Sequence, residues 1–231
     1  SQTNEWIATY GGSEANVAVS LAHFGVPTEF VTRLPDNAIA HACIDSLRSY
    51  GLGTEGVVFG GKRMGIYFLE PGAAFRNSNV VYDREDSAFA TLRPGMIDWE
   101  KVFDGAGWFH WSGIAAALSQ EGADACREAL EVADRMGLII SCDLNFRKKL
   151  WTKEKAQSIM KPLMQFVDVC IGNEEDAELC LGFKPDADVE AGHTDAEGYK
   201  GIFQQMMKEF GFKYVVSTLR ESFSATHNGW K

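Results

Sequence analysis

The sequence predicts an α/β protein with a mainly parallel sheet that helices cover on both faces, and a small β-hairpin set apart from it. Two observations predict this class. From residue 107 onward, short runs rich in β-branched and aromatic residues alternate with segments of helical periodicity. Between residues 57 and 85, two β-rich runs follow each other without a helix between them. Alternating strands and helices typically form a parallel sheet, because each crossover helix covers one of its faces.

The first 56 residues predict a helix, a strand and a second helix. Apolar residues recur at helical spacing in two stripes over residues 13–24, which indicates a helix buried on more than one side. The run TEFVTRL, residues 28–34, predicts a strand. The segment DNAIAHACIDSLRSYG predicts a helix that Asp36 opens and Gly51 closes. These elements begin the α/β core.

The pattern changes in the middle of the chain. The runs RMGIYFLEP and NSNVVYDRE are rich in strand-forming residues and are separated by GAAFR. We therefore expect residues 57–85 to form a β-hairpin lid, and residues 1–56 and 86–231 to form the α/β core.

After the hairpin, strands and helices alternate again. The predicted strands are GWFHWSG, LIISCDLN, DVCIGN and KYVVSTL. The predicted helices cover residues 120–136, 153–166 and 197–210 and the short segment EEDAELCLG, and a final run SFSATHNGW follows. Ligands of such sheets bind at the carboxyl ends of the strands, so polar residues that follow a strand are candidate site residues.

Composition and charge exclude several classes of function. The net charge of −10 and the pI near 5.0 disfavour binding to nucleic acid or to anionic membrane surfaces. The five cysteines are scattered and never occur as C-x-x-C, which argues against a disulfide framework and a zinc site. No apolar run approaches the roughly 20 residues of a membrane span, and no signal peptide is visible. We expect a reduced, cytoplasmic protein.

The stretch YGGSEANVAVSLAHFG places two glycines directly before an apolar helix. Glycines at this position either make a tight turn or let the backbone approach a ligand closely. Asn16 favours the second interpretation, because a carboxamide in the first turn can exchange hydrogen bonds with a polyol and has little reason to be there for packing.

Two further candidate groups follow predicted strands. Asp143, Asn145 and Arg147 come directly after LIIS, where the first two could simply make the turn, whereas a guanidinium suits a carboxylate or phosphoryl group. Asn173 and the acids of NEED follow the next strand. They could cap a helix or hold hydrated Mg²⁺, and the sequence leaves both interpretations open.

The hairpin carries Tyr67, Tyr82 and Arg84 at alternating strand positions. Tyr82 and Arg84 are two residues apart, so we expect them on the same face. Aromatic residues are common in strands in any case. A lid over a cleft could instead use them to bind substrate and exclude water.

Together, GGSEANVAVSLAHFG, VYDRE, CDLNFRKKLW and NEEDAEL resemble the ribokinase-like (PfkB) family of carbohydrate kinases over nearly the whole chain. The first looks like the family's sugar-binding glycine motif, CDLNFR like its D-x-N-x-R strand end and NEEDAEL like its N-x-x-E motif. CDLNFRKKLW and VYDRE point to the branch of 2-keto-3-deoxygluconate kinases. The resemblance implies a ribokinase-like three-layer sandwich with a small β lid, and an ATP- and Mg²⁺-dependent phosphotransferase that acts on the terminal hydroxyl of this sugar acid.

The resemblance also implies roles for individual residues. The substrate-binding residues would be Gly12, Ser13, Glu14, Ala15, Asn16, Tyr67, Tyr82, Arg84 and Arg147, of which Arg147 would also be catalytic. The residues beside ATP would be Asn145, Asn173, Ser217, Thr218 and Arg220. The residues at the metal would be Glu175 and Asp176.

The chain departs from the family pattern in several places. Asp176 stands where the family usually has glutamate, which shortens the reach to a metal-bound water, and Arg220 stands where glycine is common. The family's N-terminal strand is missing, and so is its G-A-G-D motif, which supplies the anion hole and the catalytic aspartate. We therefore expect that these residues either belong to a longer protein or form an inactive chain.

Two alternatives to this function stay open at the level of sequence. One is a ribokinase-family kinase for another sugar such as fructose, and the other is a noncatalytic sugar-acid-binding fragment. In either case we expect small-molecule partners, with no nucleic acid and no membrane. We also expect a homodimer or higher homo-oligomer formed through the lid, because an isolated two-stranded ribbon is marginally stable.

Overall fold

A computed structural model describes residues 5–72, 78–184, 196–218, 220–222 and 228–230. Most of the predicted hairpin loop, residues 73–77, lies outside these ranges. The chain divides into two compact units, Ser1–Gly65 with Asp86–Phe89 and Ile66–Glu85 with Ala90–Lys231. No helix in the described ranges is both long enough and apolar enough to cross a membrane.

The first unit contains two helices and a short parallel strand pair. Its elements in order are α1 (Ser13–His23), β1 (Arg33–Leu34), α2 (Ala38–Ser49) and β2 (Val58–Phe59). Strand β1 pairs with β2 in parallel, so Val58 and Phe59 belong to this unit. Ala15 and Ala18 of α1 pack with Cys43 and Leu47 of α2. The small side chains of α1 thus contribute to the core of this unit.

The predicted cap of α2 is wrong by one residue. Asn37 is the N-cap, and its side chain accepts a hydrogen bond from the Ala40 N–H at 3.0 Å. Asp36 instead contacts His41 at 2.9 Å. Asp and Asn are almost equally good N-caps, so the pattern alone could not choose between two adjacent ones.

The hairpin consists of two antiparallel strands in the second unit. Strand β3 (Ile66–Glu70) pairs with β4 (Asn79–Asp83), and Tyr67 lies directly opposite Tyr82. Several of its large apolar side chains are exposed, among them Phe68, Leu69 and Val81. The pairing therefore owes little to a hydrophobic core of its own.

The central sheet of the second unit is parallel throughout, which confirms the predicted class. Its strands are β5 (Trp108–Ser112), β6 (Ile139–Asp143), β7 (Val169–Gly172) and β8 (Tyr214–Ser217), in that spatial order. In the register of the sheet, Ser112 is the partner of Asp143 and Gly172 is the partner of Ser217. The carboxyl ends of the strands are thus aligned along one edge.

Helices flank this sheet and mostly follow the predicted ranges. They are α3 (Trp99–Val102), α4 (Gly113–Ala117), α5 (Gln120–Arg135), α6 (Lys153–Leu163), α7 (Glu174–Asp176), a π-helical turn (Ala177–Leu181) and α8 (Ala196–Phe210). Ser119 caps α5 and Thr152 caps α6 through their hydroxyls. Beyond the sheet, β9 (Arg220–Ser222) pairs with β10 (Asn228–Trp230) in antiparallel orientation.

The five cysteines are free thiols. Cys43 is buried in the first unit, and Cys142, Cys170 and Cys180 are buried in the second. Burial raises the pKa of each of these four, to about 12 for Cys180. All four therefore remain protonated at neutral pH.

Candidate active site

The carboxyl edge of the β5–β8 sheet gathers most of the site residues predicted from the second unit. Asp143 ends β6 and Ser217 ends β8, while Asn173 directly follows β7. The predicted residues of this edge are Asn145, Arg147, Asn173, Glu175, Asp176, Ser217 and Thr218. Arg220 begins β9, and its side chain lies outside the described part of the chain.

Asn145 has an unusual backbone at this edge. Its φ of 44° lies in the left-handed region, and the residue is 9% exposed. Asparagine tolerates this region better than most residues, but the conformation is still uncommon outside glycine. Backbone outliers of this kind cluster at functional sites. Arg147, two residues later, is exposed.

Asn173 and Asp176 cap each other at the start of α7. The Asn173 Oδ1 accepts from the Asp176 N–H at 2.8 Å, and the Asp176 Oδ2 accepts from the Asn173 N–H at 3.2 Å. This is a capping box, which satisfies two helix-terminal donors reciprocally. The capping interpretation of NEED is therefore correct for these two residues, and a metal role remains a prediction.

Asp176 also joins two strand ends. Its Oδ1 accepts a hydrogen bond from the backbone N–H of Phe146 at 3.0 Å, which links the segment after β6 to the segment after β7. Burial raises the pKa of Asp176, although hydrogen bonds from Asn173 and Phe146 and the charge of Arg147 act in the opposite direction. The carboxyl edge therefore contains a desolvated acid held by backbone donors.

Two buried hydroxyls at this edge lack a hydrogen-bond partner within the described residues. They belong to Ser112, at the end of β5, and Ser217, at the end of β8. Buried polar atoms are nearly always paired, so an ordered water or a polar ligand would complete the hydrogen bonding of these hydroxyls. The sequence analysis missed Ser112, although its position at the carboxyl end of a predicted strand was a usable signal.

The next residue, Gly113, lies against the site backbone. A Cβ added there would lie 2.3 Å from the Leu144 carbonyl oxygen, far inside van der Waals contact. A side chain at this position would therefore displace the segment that carries Asn145.

The hairpin brings its three predicted residues together. The rings of Tyr67 and Tyr82 lie 6.3 Å apart, and the Arg84 guanidinium lies 4.3 Å from the centroid of the Tyr82 ring. Tyr82 and Arg84 therefore share a face, as their spacing predicts. Lys149, which the sequence analysis missed, donates a hydrogen bond to the Val80 carbonyl at 3.3 Å. Its ammonium lies 5.8 Å from the Tyr82 ring centroid.

A pocket of about 450 Å³ opens beside the turn that follows Arg147. Lys148, Lys149 and Lys153 line it, and Lys153 pairs with Glu178 at 2.6 Å. Glu178 offsets the positive charge of Lys153, and Lys148 and Lys149 are exposed, so solvent screens their charges. The lining alone therefore does not assign a ligand to this pocket.

The predicted sugar motif belongs to the first unit. Gly12 has an extended backbone with φ 163°, and a Cβ added there would make an ordinary contact, 3.7 Å from the Ala15 Cβ. The Ser13 hydroxyl donates to the Glu14 carboxylate at 2.8 Å. Ala15 is part of the core, whereas the Asn16 side chain is exposed. Packing within the described residues thus explains Ala15 but does not require glycine at position 12.

The described residues contain no cluster of three or more His, Cys, Asp or Glu side chains arranged for a metal ion. Glu175 is exposed, and both oxygens of Asp176 accept backbone N–H groups. Mg²⁺ needs few protein ligands, because it retains waters and often binds substrate phosphates. Carboxylate oxygens are donors that Mg²⁺ accepts, so the metal role of Glu175 and Asp176 remains a prediction.

Comparison with known proteins identifies the family. The family model described as pfkB family carbohydrate kinase matches residues 2–219. The crystal structure of 2-dehydro-3-deoxygluconokinase from Thermotoga maritima is similar, with 47% identity and a TM-score of 0.93 over 99% of this chain and 68% of that one. A PfkB family carbohydrate kinase from Listeria grayi has 33% identity and a TM-score of 0.83 over 94% of this chain and 65% of its own.

A curated relative from Haloferax volcanii is named 2-dehydro-3-deoxygalactonokinase. It is 32% identical over 218 residues, which are 94% of this chain. The match spans 64% of the length of that relative. The fold has the ribokinase-like architecture that the sequence resemblance implied, and the chain belongs to the PfkB family of carbohydrate kinases.

Proposed function

We propose that the protein transfers a phosphoryl group from ATP to the terminal hydroxyl of 2-keto-3-deoxygluconate, the sugar acid also called 2-dehydro-3-deoxygluconate. The observation that carries the substrate class is the cluster of three side chains on the hairpin. The Arg84 guanidinium lies over the Tyr82 ring, and the Tyr82 ring is also close to the Tyr67 ring. A guanidinium suits a carboxylate and phenols suit hydroxyls, so the cluster has the chemistry that recognises a sugar acid. The names of the Thermotoga and Haloferax relatives support the same class.

The glycine motif of the first unit would bind the sugar hydroxyls. Packing does not require glycine at position 12, where an added Cβ would make an ordinary contact, and this supports close approach of a ligand to the backbone. The exposed carboxamide of Asn16 offers a donor and an acceptor. Ala15 is buried in the core, so its backbone would make any contact with substrate.

The carboxyl edge of the sheet would bind the nucleotide and the metal. The unpaired buried hydroxyl of Ser217 supports a polar ligand beside β8, next to Thr218 and Arg220. Asn145 and Asn173 would lie on the same side. Glu175 and Asp176 would hold Mg²⁺, with Asp176 acting through water because backbone donors already occupy both of its oxygens. Bound Mg²⁺ supplies positive charge that stabilises the phosphate oxygens.

Phosphoryl transfer in this class depends mainly on positioning and electrostatic stabilisation. Arg147 would bind the sugar acid and offset the negative charge that develops on the transferring group. Removal of the hydroxyl proton would fall to the aspartate of the family's G-A-G-D motif, which does not occur among these 231 residues. The activity is proposed for the full-length protein, since this chain matches 64% of the length of the Haloferax relative.

The first test is a substrate panel for the full-length protein with Mg²⁺-ATP, following ADP release. We expect strong preference for 2-keto-3-deoxygluconate over gluconate, fructose and ribose. Its C4 epimer, 2-keto-3-deoxygalactonate, belongs in the panel because of the Haloferax relative. Turnover with fructose alone would contradict the sugar-acid proposal, and tight binding of the keto acid without any turnover would favour the noncatalytic module.

A pair of variants tests the carboxylate contact. Arg84→Ala should raise the KM for the sugar acid roughly tenfold or more, since a charged hydrogen bond contributes about 1.5–3 kcal/mol. Arg93→Ala, which removes an exposed arginine of the same unit, is the matched control and should change little. Equal effects of the two variants would argue against recognition of a carboxylate by Arg84.

The same proposal includes self-association through the hairpin and a cytoplasmic location. The exposed apolar residues Phe68 and Val81 pair with each other on the face opposite to that of Tyr67 and Tyr82, and would be covered by the hairpin of a second copy. Light scattering at micromolar concentration should give a dimer or a higher oligomer, and Val81→Asp should shift it toward monomer. A monomeric parent protein would contradict this part of the proposal. The free thiols suit a reducing compartment.

A further inference from the structure

Lys149 connects the hairpin to the loop that carries Arg147. Its ammonium donates to the Val80 carbonyl of β4 at 3.3 Å and lies 5.8 Å from the centroid of the Tyr82 ring. The hydrogen bond and the cation–π contact are separate interactions of one side chain with the same strand. Both lie within the second unit.

The loop that carries Lys149 is well anchored. A backbone hydrogen bond from Leu150 to the Arg147 carbonyl, 2.9 Å long, closes a turn around Lys148 and Lys149. On one side of this turn, the Phe146 N–H donates to Asp176. On the other side, Trp151 is buried and is followed by the Thr152 cap of α6. The turn is therefore held at both ends, by Asp176 on one side and by buried Trp151 and the start of α6 on the other.

The hairpin, by contrast, has little packing of its own. Four apolar side chains of β3 and β4 are exposed, namely Ile66, Phe68, Leu69 and Val81, and an isolated two-stranded hairpin is marginally stable in water. A contact from an anchored turn to a weakly supported strand can therefore shift the position of that strand. The strand contacted by Lys149 is the one that presents Tyr82 and, directly after its end, Arg84.

We infer that Lys149 is a positioning residue, which holds β4 so that Tyr82 and Arg84 keep a fixed place relative to Arg147. This inference rests on the proposed function, because the residues that Lys149 positions are the proposed sugar-acid ligands. Lys149 acts through the hairpin and does not contact the reacting atoms. Its neighbour Lys148 is also exposed and makes no hydrogen bond to the hairpin in the described part of the chain.

The kinetic test compares Lys149→Met with Lys148→Met in the full-length protein. Each change removes one positive charge from the same turn and keeps a long apolar stem. For Lys149→Met we expect the KM for the sugar acid to rise about fivefold. This is the loss of affinity expected when an exposed cation–π contact and one hydrogen bond are removed together. The kcat and the KM for ATP should stay within about twofold. Lys148→Met should match the parent protein, and Lys149→Arg should restore most of the lost affinity.

Amide hydrogen exchange provides a readout that does not depend on turnover. In Lys149→Met, the amides of residues 79–83 should exchange faster than in Lys148→Met, while those of the central sheet should not change. Equal KM values and equal exchange in the two variants would overturn the inference. A fall in kcat with unchanged KM would also overturn it, because Lys149 would then act on the reaction itself. If no sugar acid is phosphorylated at all, the exchange result still decides whether Lys149 orders the hairpin.

Discussion

The two edges of the β5–β8 sheet each carry an acid that bridges neighbouring strands, and the two acids are held in opposite ways. At the amino edge, Asp168 accepts from the Ile140 N–H at 2.9 Å and pairs with Lys213 at 2.7 Å. At the carboxyl edge, Asp176 accepts from the backbone N–H groups of Phe146 and Asn173. Burial alone would raise both pKa values, but the contacts with Lys213 and Ile140 lower the pKa of Asp168, whereas that of Asp176 stays raised.

This difference is the one expected between a stabilising edge and the edge that is proposed to bind ligands. The amino edge satisfies its acid with a cation, which keeps that acid ionised. The carboxyl edge keeps a desolvated acid, a left-handed Asn145 and two buried hydroxyls without partners in the described residues. Local features that lower stability, such as these, are expected where a protein binds ligands. Substitutions at the two edges should therefore differ in how much they lower the free energy of unfolding and in whether they lower activity.

The largest expected effect comes from removing the acid of the carboxyl edge. Asp176→Ala should lower the free energy of unfolding by about 2–4 kcal/mol, because two partly buried backbone N–H groups lose a charged acceptor. Urea unfolding followed by circular dichroism measures this change. Glu175→Ala removes the adjacent exposed acid and should change stability by less than about 0.5 kcal/mol. Similar losses in both variants would show that the bridging contacts of Asp176 contribute little.

An intermediate effect is expected from a methyl group at either end of β5. Gly113→Ala places a Cβ 2.3 Å from the Leu144 carbonyl oxygen and should lower stability by about 1–3 kcal/mol. It should also reduce activity, since the displaced backbone leads into Asn145. Gly107→Ala, at the amino end, meets no atom within 4 Å and should change stability by about 0.5 kcal/mol or less. Thermal unfolding and ADP release would measure the stability and the activity of both variants. Equal values for the two variants would contradict the prediction.

The smallest effect is expected at the amino edge and depends on pH. Asp168→Asn should lower stability at pH 7 by about 1 kcal/mol, a modest value because the Lys213 side chain is 65% exposed. The pKa of Asp168 is lower in the folded chain, so the unfolded chain binds more protons in acid and stability falls as pH falls. The contribution of Asp168 is fully present above about pH 5 and is lost as pH falls through the unfolded value near 3.9 and then the lower folded value.

Urea unfolding of both proteins between pH 7 and pH 3 checks this sign. The difference between parent protein and variant should shrink toward the acid end, because asparagine does not titrate. Kinase activity at pH 7 should be unchanged, since Asp168 lies at the edge away from the proposed site. A difference that grows in acid would mean that the pKa of Asp168 is raised in the folded chain.

Local patterns were enough to predict much of the fold and part of the site. Alternating apolar runs and caps such as Ser119 and Thr152 depend on neighbouring residues, so the order of strands and helices can be predicted from the sequence. The same holds for polar residues after apolar strands, which is why Asn145 and Asn173 were correctly placed at the carboxyl edge. Their roles toward ATP and Mg²⁺ remain predictions.

Contacts between distant residues could not be predicted in this way. Asp176 accepts from Phe146, 30 positions away, and Lys149 contacts Val80 across 69 positions. No local spacing encodes such pairs, because they arise when separate elements pack together. The choice of Asn37 over Asp36 as cap is different, since there the local chemistry is nearly degenerate.

The rate at which the buried thiols react with a labelling reagent should report local opening of each unit separately. A thiol reacts as the thiolate and only when reagent can reach it, so the buried cysteines with raised pKa values should react slowly in the closed protein. Cys43 would record transient opening of the first unit, and Cys142 and Cys170 that of the second. A ligand that binds one unit should slow the labelling of the thiols in that unit alone. Nucleotide, which is proposed to bind the second unit, should therefore slow the labelling of Cys142 and Cys170 and leave that of Cys43 unchanged.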